Sequence, residues 1–198
     1  MKVNPYFWRF ALIAFLASSG IFLWDLQSSL HIDILNETKR LESKGIISWT
    51  SSVPIGSTMP HFELSSLNGD VISSEAIDAQ LTLLIFFSPD DCPSCLLEAK
   101  LWRDIDLTYE NSDVTVLGIT TAPVDTYKMT IFKRGRHIDF PILLDPAGGY
   151  KDAFGITNTP TKVLVDNLGR IIDASASGPS LVEHKLYKEK IVRLLEIL

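Results

Sequence analysis

The stretch Leu81-Thr82-Leu83-Leu84-Ile85-Phe86-Phe87-Ser88-Pro89-Asp90-Asp91-Cys92-Pro93-Ser94-Cys95 decides how the chain is read. Its first seven residues form an apolar, β-prone run of the kind that makes a strand buried on both faces. Beyond the second cysteine, Leu97, Leu101, Ile105 and Tyr109 recur every four residues, predicting a helix with those positions on its buried side. A strand, a tight turn and a helix that opens on Cys-x-x-Cys make a redox arrangement. A sulfur at a helix N-terminus faces unpaired backbone N–H groups and the positive end of the macrodipole. Both favour the thiolate, the species that attacks disulfides. Cys92 is therefore expected as the exposed nucleophile, and Cys95, one turn in, as the buried resolving thiol that closes the ring and releases product.

Other uses of the pair fit less well. These are the only two cysteines in 198 residues, and a spacing of three arises in about 1% of random placements. A zinc site needs about four ligands, and no second pair exists. His31, His61, His137 and His184 stand singly and read as surface residues, so no metal site is expected. A structural staple gains most by closing a long loop, and this loop is minimal.

The length suits one globular domain plus an appendage. With 18 basic and 24 acidic residues the net charge is −6, which argues against nucleic acid as a partner. The apolar residues are unevenly spread. Positions 7–26 read FWRFALIAFLASSGIFLWDL, about twenty residues and long enough to cross the hydrocarbon core. Tyr6, Trp8 and Trp24 fall where interfacial aromatics are expected. A cleaved signal peptide is the rival, with Lys2 and Arg9 as its n-region and Ala17-Ser18-Ser19-Gly20 as its cleavage site. The apolar run continues through Ile21-Phe22-Leu23-Trp24, which favours an uncleaved anchor. Lys2 and Arg9 before the span, against Asp25 and Asp33 after it, put residues 1–6 in the cytoplasm and the rest outside. Disulfide chemistry has substrates in such an oxidising compartment.

Residues 27–53 read as stalk and linker. Leu30, Ile34 and Leu41 make a thin helical stripe with Gly45 as its C-cap, and Thr50 to Met59 is rich in Ser, Thr, Pro and Gly. The folded unit spans 54–198. Asn68-Gly69 between Phe62-Glu63-Leu64 and Val71-Ile72-Ser73 signals a hairpin. Val114 to Ile119 is the next buried strand, and Pro123 starts a helix that Gly135 ends. Ile142-Leu143-Leu144 is a short strand and 148–154 a helical turn. Thr161 to Asp166 and Arg170 to Ala174 form a closing hairpin. The last helix begins with the capping pattern Ser180-Leu181-Val182-Glu183 and buries Leu181, Ile191, Leu194 and Leu195. This order implies an α/β fold with a mixed central sheet and helices on both faces. The run Lys133-Arg134-Gly135-Arg136-His137 complements a helix C-terminus.

With these elements in place, residues 54–198 resemble the thioredoxin-like redoxins of the AhpC/TSA superfamily, most closely membrane-anchored disulfide reductases of the TlpA/ResA type. The resemblance rests on Ile55-Gly56, Pro60-His61-Phe62-Glu63-Leu64, Leu67-Asn68-Gly69, Phe86-Phe87-Ser88-Pro89 before Cys92 and Cys95, and Phe140-Pro141-Ile142-Leu143-Leu144-Asp145. The run from Phe154 to Thr161, with Val165 to Ile171, completes it. It implies a cis bond before Pro160, lying against the disulfide. Proline is the one residue for which cis costs little, about 0.5–1 kcal/mol. Such a turn would offer the Thr159 backbone to an extended substrate. The resemblance also implies that Glu98 handles protons for the pair. A partly buried carboxylate can exchange protons as a disulfide opens. The plainer reading is a solvated helix charge, although the i+4 position holds Trp102 and not a basic residue.

One departure bears on function. Where the family usually has a Trp near the first cysteine, this chain has Asp90-Asp91. Negative charge there disfavours the Cys92 thiolate and points to a reducing role, unless both side chains face solvent and only shape the turn. The resemblance implies no cofactor beyond the Cys92/Cys95 disulfide. Implied partners are protein disulfides, including apocytochromes, and a membrane thiol carrier as electron donor. Two alternatives share the fold. A peroxiredoxin-type peroxidase would want Thr three residues before its cysteine and Pro four further back, where this chain has Pro89 and Ile85. A copper-binding chaperone would use both cysteines with His137.

Overall fold

The computed structural model describes residues 53–196 apart from 89, 91, 111, 122 and 177–180. The segments expected as cytoplasmic tail (1–6), anchor (7–26) and stalk, with Gly45, Asp91 and the expected Ser180 cap, lie outside the described residues, as does the side chain of Leu181. Among the described residues no helix is long and apolar enough to cross a membrane.

The chain builds β1 (Glu63–Ser65), β2 (Val71–Ser73), β3 (Leu81–Phe87), α1 (Pro93–Tyr109), β4 (Val114–Thr120), α2 (Thr126–Gly135), β5 (Ile142–Leu143), α3 (Gly149–Ala153), β6 (Thr161–Asp166), β7 (Ile171–Ala176) and α4 (Leu181–Leu195). Five strands form one sheet in the order β5-β4-β3-β6-β7. The β3–β4 and β4–β5 pairs are parallel, and β3–β6 and β6–β7 antiparallel. This is the mixed sheet expected from the alternation of elements. β3 is central, flanked on both edges and covered on both faces, so all seven of its residues are buried. Leu81, Leu83, Ile85 and Phe87 point into the layer shared with α1, α2 and α4. Leu84 and Phe86 point into the opposite layer with Phe62, Tyr150 and Phe154.

The hairpin β1–β2 turns at Asn68-Gly69, with Gly69 at φ 95, a conformation that glycine adopts without a Cβ penalty. It docks along β5, with Leu67 N–H donating to Ile142 O and Leu144 N–H to Ser65 O, both at 2.8 Å. A short edge strand is thereby covered.

Three local expectations are corrected. Leu97 is 60% exposed. The buried side of α1 instead runs through Cys95, Glu98, Ala99, Leu101, Trp102, Ile105 and Tyr109. Repeated steps of four overshoot a 3.6-residue turn, whereas alternating steps of three and four stay on one side. α2 starts not at Pro123 but after Asp125, whose carboxylate accepts from Tyr127 N–H and Lys128 N–H. The helix does end at Gly135, as expected, and His137 beyond it takes φ 53. His184, read as a surface histidine, is buried against Asp104. Lys133 and Arg134 do occupy the last turn of α2, where Lys133 Nζ donates to the carbonyls of Asp139 and Phe140.

Candidate redox site

Strand β3 delivers the chain to Cys92 at the N-terminal end of α1. Cys92 is the N-cap, and Pro93 takes the first helical position, where a missing N–H costs nothing. Cys92 and Cys95 form a disulfide with Cα atoms 5.2 Å apart. The Sγ of Cys92 accepts the Cys95 N–H at 3.1 Å and lies 3.4 Å from Ser94 Oγ. A backbone donor aimed at this sulfur favours negative charge on it once the bond opens. The expected exposed nucleophile is nonetheless shielded. Cys92 is only 3% exposed and Cys95 not at all, because both sulfurs belong to the apolar layer between α1 and the sheet.

The Thr159–Pro160 bond is cis. Pro160 is buried and Thr159 half-buried. The register Phe86↔Thr161 sets this turn beyond the C-terminal end of β3, the same end of the sheet from which the chain enters the Cys92 loop. Topology thus brings Cys92, Cys95, Thr159 and Pro160 to one end of the sheet.

Glu98 is fully buried, which excludes the reading of a solvated helix charge. Trp102 Nε1–H donates to Glu98 Oε2 at 3.4 Å, and Lys162 Nζ lies 3.8 Å from the same oxygen. Lys162 is itself buried, its ammonium 4.7 Å from the centre of the Tyr187 ring. Sequence reasoning missed Lys162 and Tyr187. The available signal was parity along β6: Lys162 shares the side of Leu164, and Leu164 faces the layer that holds the cysteines.

Beside the pair, Asp90, Leu96, Lys128, Ile131, Phe132 and Arg136 line an open cleft of about 400 Å³. Among the described residues, no three of His, Cys, Asp and Glu gather as a metal-holding group.

A mixed α/β sheet whose first long helix opens on a Cys-x-x-Cys disulfide, with a cis-proline turn at the same end, defines the class of thioredoxin-like thiol–disulfide oxidoreductases. The AhpC/TSA family matches residues 55–174, and the chain belongs to that family. It is 22% identical over 148 residues to the thiol-disulfide oxidoreductase ResA of Bacillus cereus, covering 75% of this chain and 84% of that protein. It is 25% identical over 105 residues to peroxiredoxin Bcp of Bacillus subtilis, covering 53% of this chain and 66% of that one. Its fold matches a secreted Mycobacterium tuberculosis disulfide oxidoreductase homologous to DsbE, with a TM-score of 0.58 and 19% identity over 67% of this chain and 95% of the other.

Proposed function

We propose that this protein is a membrane-tethered, extracytoplasmic thiol–disulfide oxidoreductase that reduces disulfides in partner proteins. The observation that carries the reading is the Cys92–Cys95 disulfide at the start of α1, at the sheet end that also holds the Thr159–Pro160 turn. In the reduced protein, the Cys92 thiolate attacks one sulfur of the partner's disulfide and the other leaves as a thiolate. The Cys95 thiolate then attacks Cys92 Sγ, closing the internal disulfide and expelling the second partner sulfur. Two electrons pass to the partner, whose sulfurs take up two protons. A membrane thiol carrier returns both electrons, so the disulfide itself is the only redox group required. Apocytochromes awaiting haem are the partner class that the family resemblance favours, with Thr159 as the backbone that pairs with them and Glu98 as the proton-handling group.

The test is Cys95→Ser in the full chain, which leaves the mixed disulfide unresolved. Covalent capture of cysteine-bearing partners by this variant, and none by Cys92→Ser, is expected. An empty trap in cells that hold the partner's compartment intact overturns the reading.

A peroxidase is the second reading, favoured by the similarity to peroxiredoxins. Against it, Pro89 and Ile85 stand where the peroxidase pattern wants Thr and Pro. Rapid consumption of hydrogen peroxide that depends on Cys92 would replace the first reading with the second.

A further inference from the structure

We infer that Lys162 is a positioning residue for the resolving half of the reaction: its ammonium holds the buried Glu98 carboxylate charged, ready to take the proton that Cys95 must lose. The inference rests on the oxidoreductase reading above.

Lys162 stands two residues past Pro160 and pairs across the sheet with Ile85. Its side chain therefore enters the layer that holds Cys95 and Glu98. Nζ lies 3.8 Å from Glu98 Oε2, with 8% of the Lys162 side chain and 0% of the Glu98 side chain exposed. A carboxyl alone in an apolar layer stays neutral, and a neutral carboxyl cannot act as a base. An opposite charge within about 4–6 Å reverses that preference. The separation exceeds the roughly 2.7–2.9 Å of a charge-assisted hydrogen bond. Lys162 therefore acts on this oxygen through its charge rather than by a close hydrogen bond that a protonating carboxylate would have to break.

The surroundings support a charged Lys162. Its ammonium lies over the face of Tyr187, a contact that favours a cation. Burial pushes the Tyr187 phenol well up, with Asp173 adding to the effect, so this ring stays neutral. From β7, Asp173 Oδ1 accepts from Lys190 of α4 at 2.9 Å, which engages that second ammonium elsewhere. Glu98 thus has Lys162 of β6 beside it, and the Tyr187 ring on the far side of that ammonium also meets Lys190 of α4 at 6.0 Å and the charge of Asp173 on β7.

The chemistry follows from the spacing. Cys95 and Glu98 are neighbours at i and i+3 on one helix face, within reach directly or through one water. As Cys95 attacks Cys92 Sγ, its proton passes to the Glu98 carboxylate. The partner sulfur leaves with the bonding pair, and Glu98 later returns the proton to solvent.

The experiment isolates this step in the full chain. Cys92 is loaded with thionitrobenzoate at low pH, and the absorbance of the released aryl thiolate is followed after a jump to each pH. Resolution by Cys95 is then read without any partner protein, so an empty partner trap and a failure here are separate results. Lys162→Met is expected to move the acid limb of the rate profile upward by about one pH unit or more, with about a tenfold loss of rate per unit below it. Lys162→Arg keeps the wild-type limb, Glu98→Gln removes it, and adding Lys162→Met to Glu98→Gln changes nothing further. A Lys162→Met limb at the wild-type position overturns the inference, as does an equal slowing by Lys162→Met in the Glu98→Gln background. Should Lys162→Met fail to fold, isotope-edited infrared spectra of the wild type decide: an ionised Glu98 at pH 7 supports the inference, and a protonated one refutes it.

Discussion

Asp104 Oδ2 lies 2.7 Å from His184 Nε2, a contact that ties α1 to α4 across 80 residues of sequence. Lys188 Nζ donates to the same oxygen at 2.9 Å. The hydrogen bonds from His184 and Lys188 hold the Asp104 carboxyl below its ordinary value. A carboxyl lowered in the folded state contributes stability above its unfolded value, and that contribution disappears as pH falls through the folded one. Because half of this side chain is exposed, solvent screens the effect to about 0.5 kcal/mol. Asp104→Asn is expected to lower the urea midpoint slightly at pH 7 and to flatten the stability loss as pH falls below the ordinary aspartate range. An acid limb as steep as that of the wild type would count against this account.

The β6–β7 turn joins backbone hydrogen bonds between Asp166, Gly169 and Arg170 to one buried carboxylate. Asp166 is buried and accepts from Leu168 N–H at 3.0 Å, Arg170 N–H at 2.8 Å and Arg170 Nε at 2.7 Å. Burial raises its pKa, but these hydrogen bonds and the guanidinium charge outweigh it, and the net shift is downward. Asp166→Ala leaves two backbone N–H groups without their acceptor and is expected to cost about 1–3 kcal/mol in chemical unfolding. Arg170→Ala, which removes a half-exposed cation, costs less than about 1 kcal/mol. Equal losses would show that the turn rests on the ion pair. The contribution is present at neutral pH and fades as pH drops through the lowered value.

Gly118 lies in β4 where a side chain has no room. A Cβ there would meet Phe87 Cε1 at 3.0 Å, Phe140 Cε2 at 3.2 Å and Ile142 Cγ1 at 3.4 Å. Gly118→Ala therefore overpacks the layer and is expected to destabilise by about 1–3 kcal/mol. A thermal or urea midpoint at or above that of the wild type would mean that the two aromatic rings yield freely.

Under the proposed reducing role, Cys92 is expected to titrate as a moderately rather than strongly acidic thiol. Rates of alkylation against pH in Cys95→Ser measure it, and a value near 4 would exclude the reducing role. Asp90 is exposed at the rim of the cleft beside the pair. Asp90→Asn should thus move the Cys92 titration downward by only a fraction of a unit, since solvent screens that charge.

The backbone plan of residues 53–196 was legible where one local cause dominates. Leu81 to Phe87 could only be a doubly covered strand, and Asn68-Gly69 could only turn. The cysteine pair was legible for the same reason, because its spacing and the strand before it suffice. What escaped was set by partners far along the chain or, for Leu97, by the period of its own helix. Leu97 looked apolar enough to be buried, but the three-and-four rhythm of α1 turns it outward. His184 finds its reason in Asp104, and Glu98 in Lys162. Nothing near a lysine inside Thr161–Asp166 announces that it will cross the sheet to meet a helix. The shielding of Cys92 likewise depends on how α1 settles against the sheet.

The pairing of Phe86 with Thr161 has a consequence for synthesis. A ribosome delivers both cysteines long before it delivers the turn that ends at Pro160, and strands so distant in sequence join late. Until β6 arrives, the emerging polypeptide carries two thiols with neither the Thr159 backbone nor Lys162 beside them. During that interval the two thiols exist without the turn against which, in the proposed reading, a partner segment pairs.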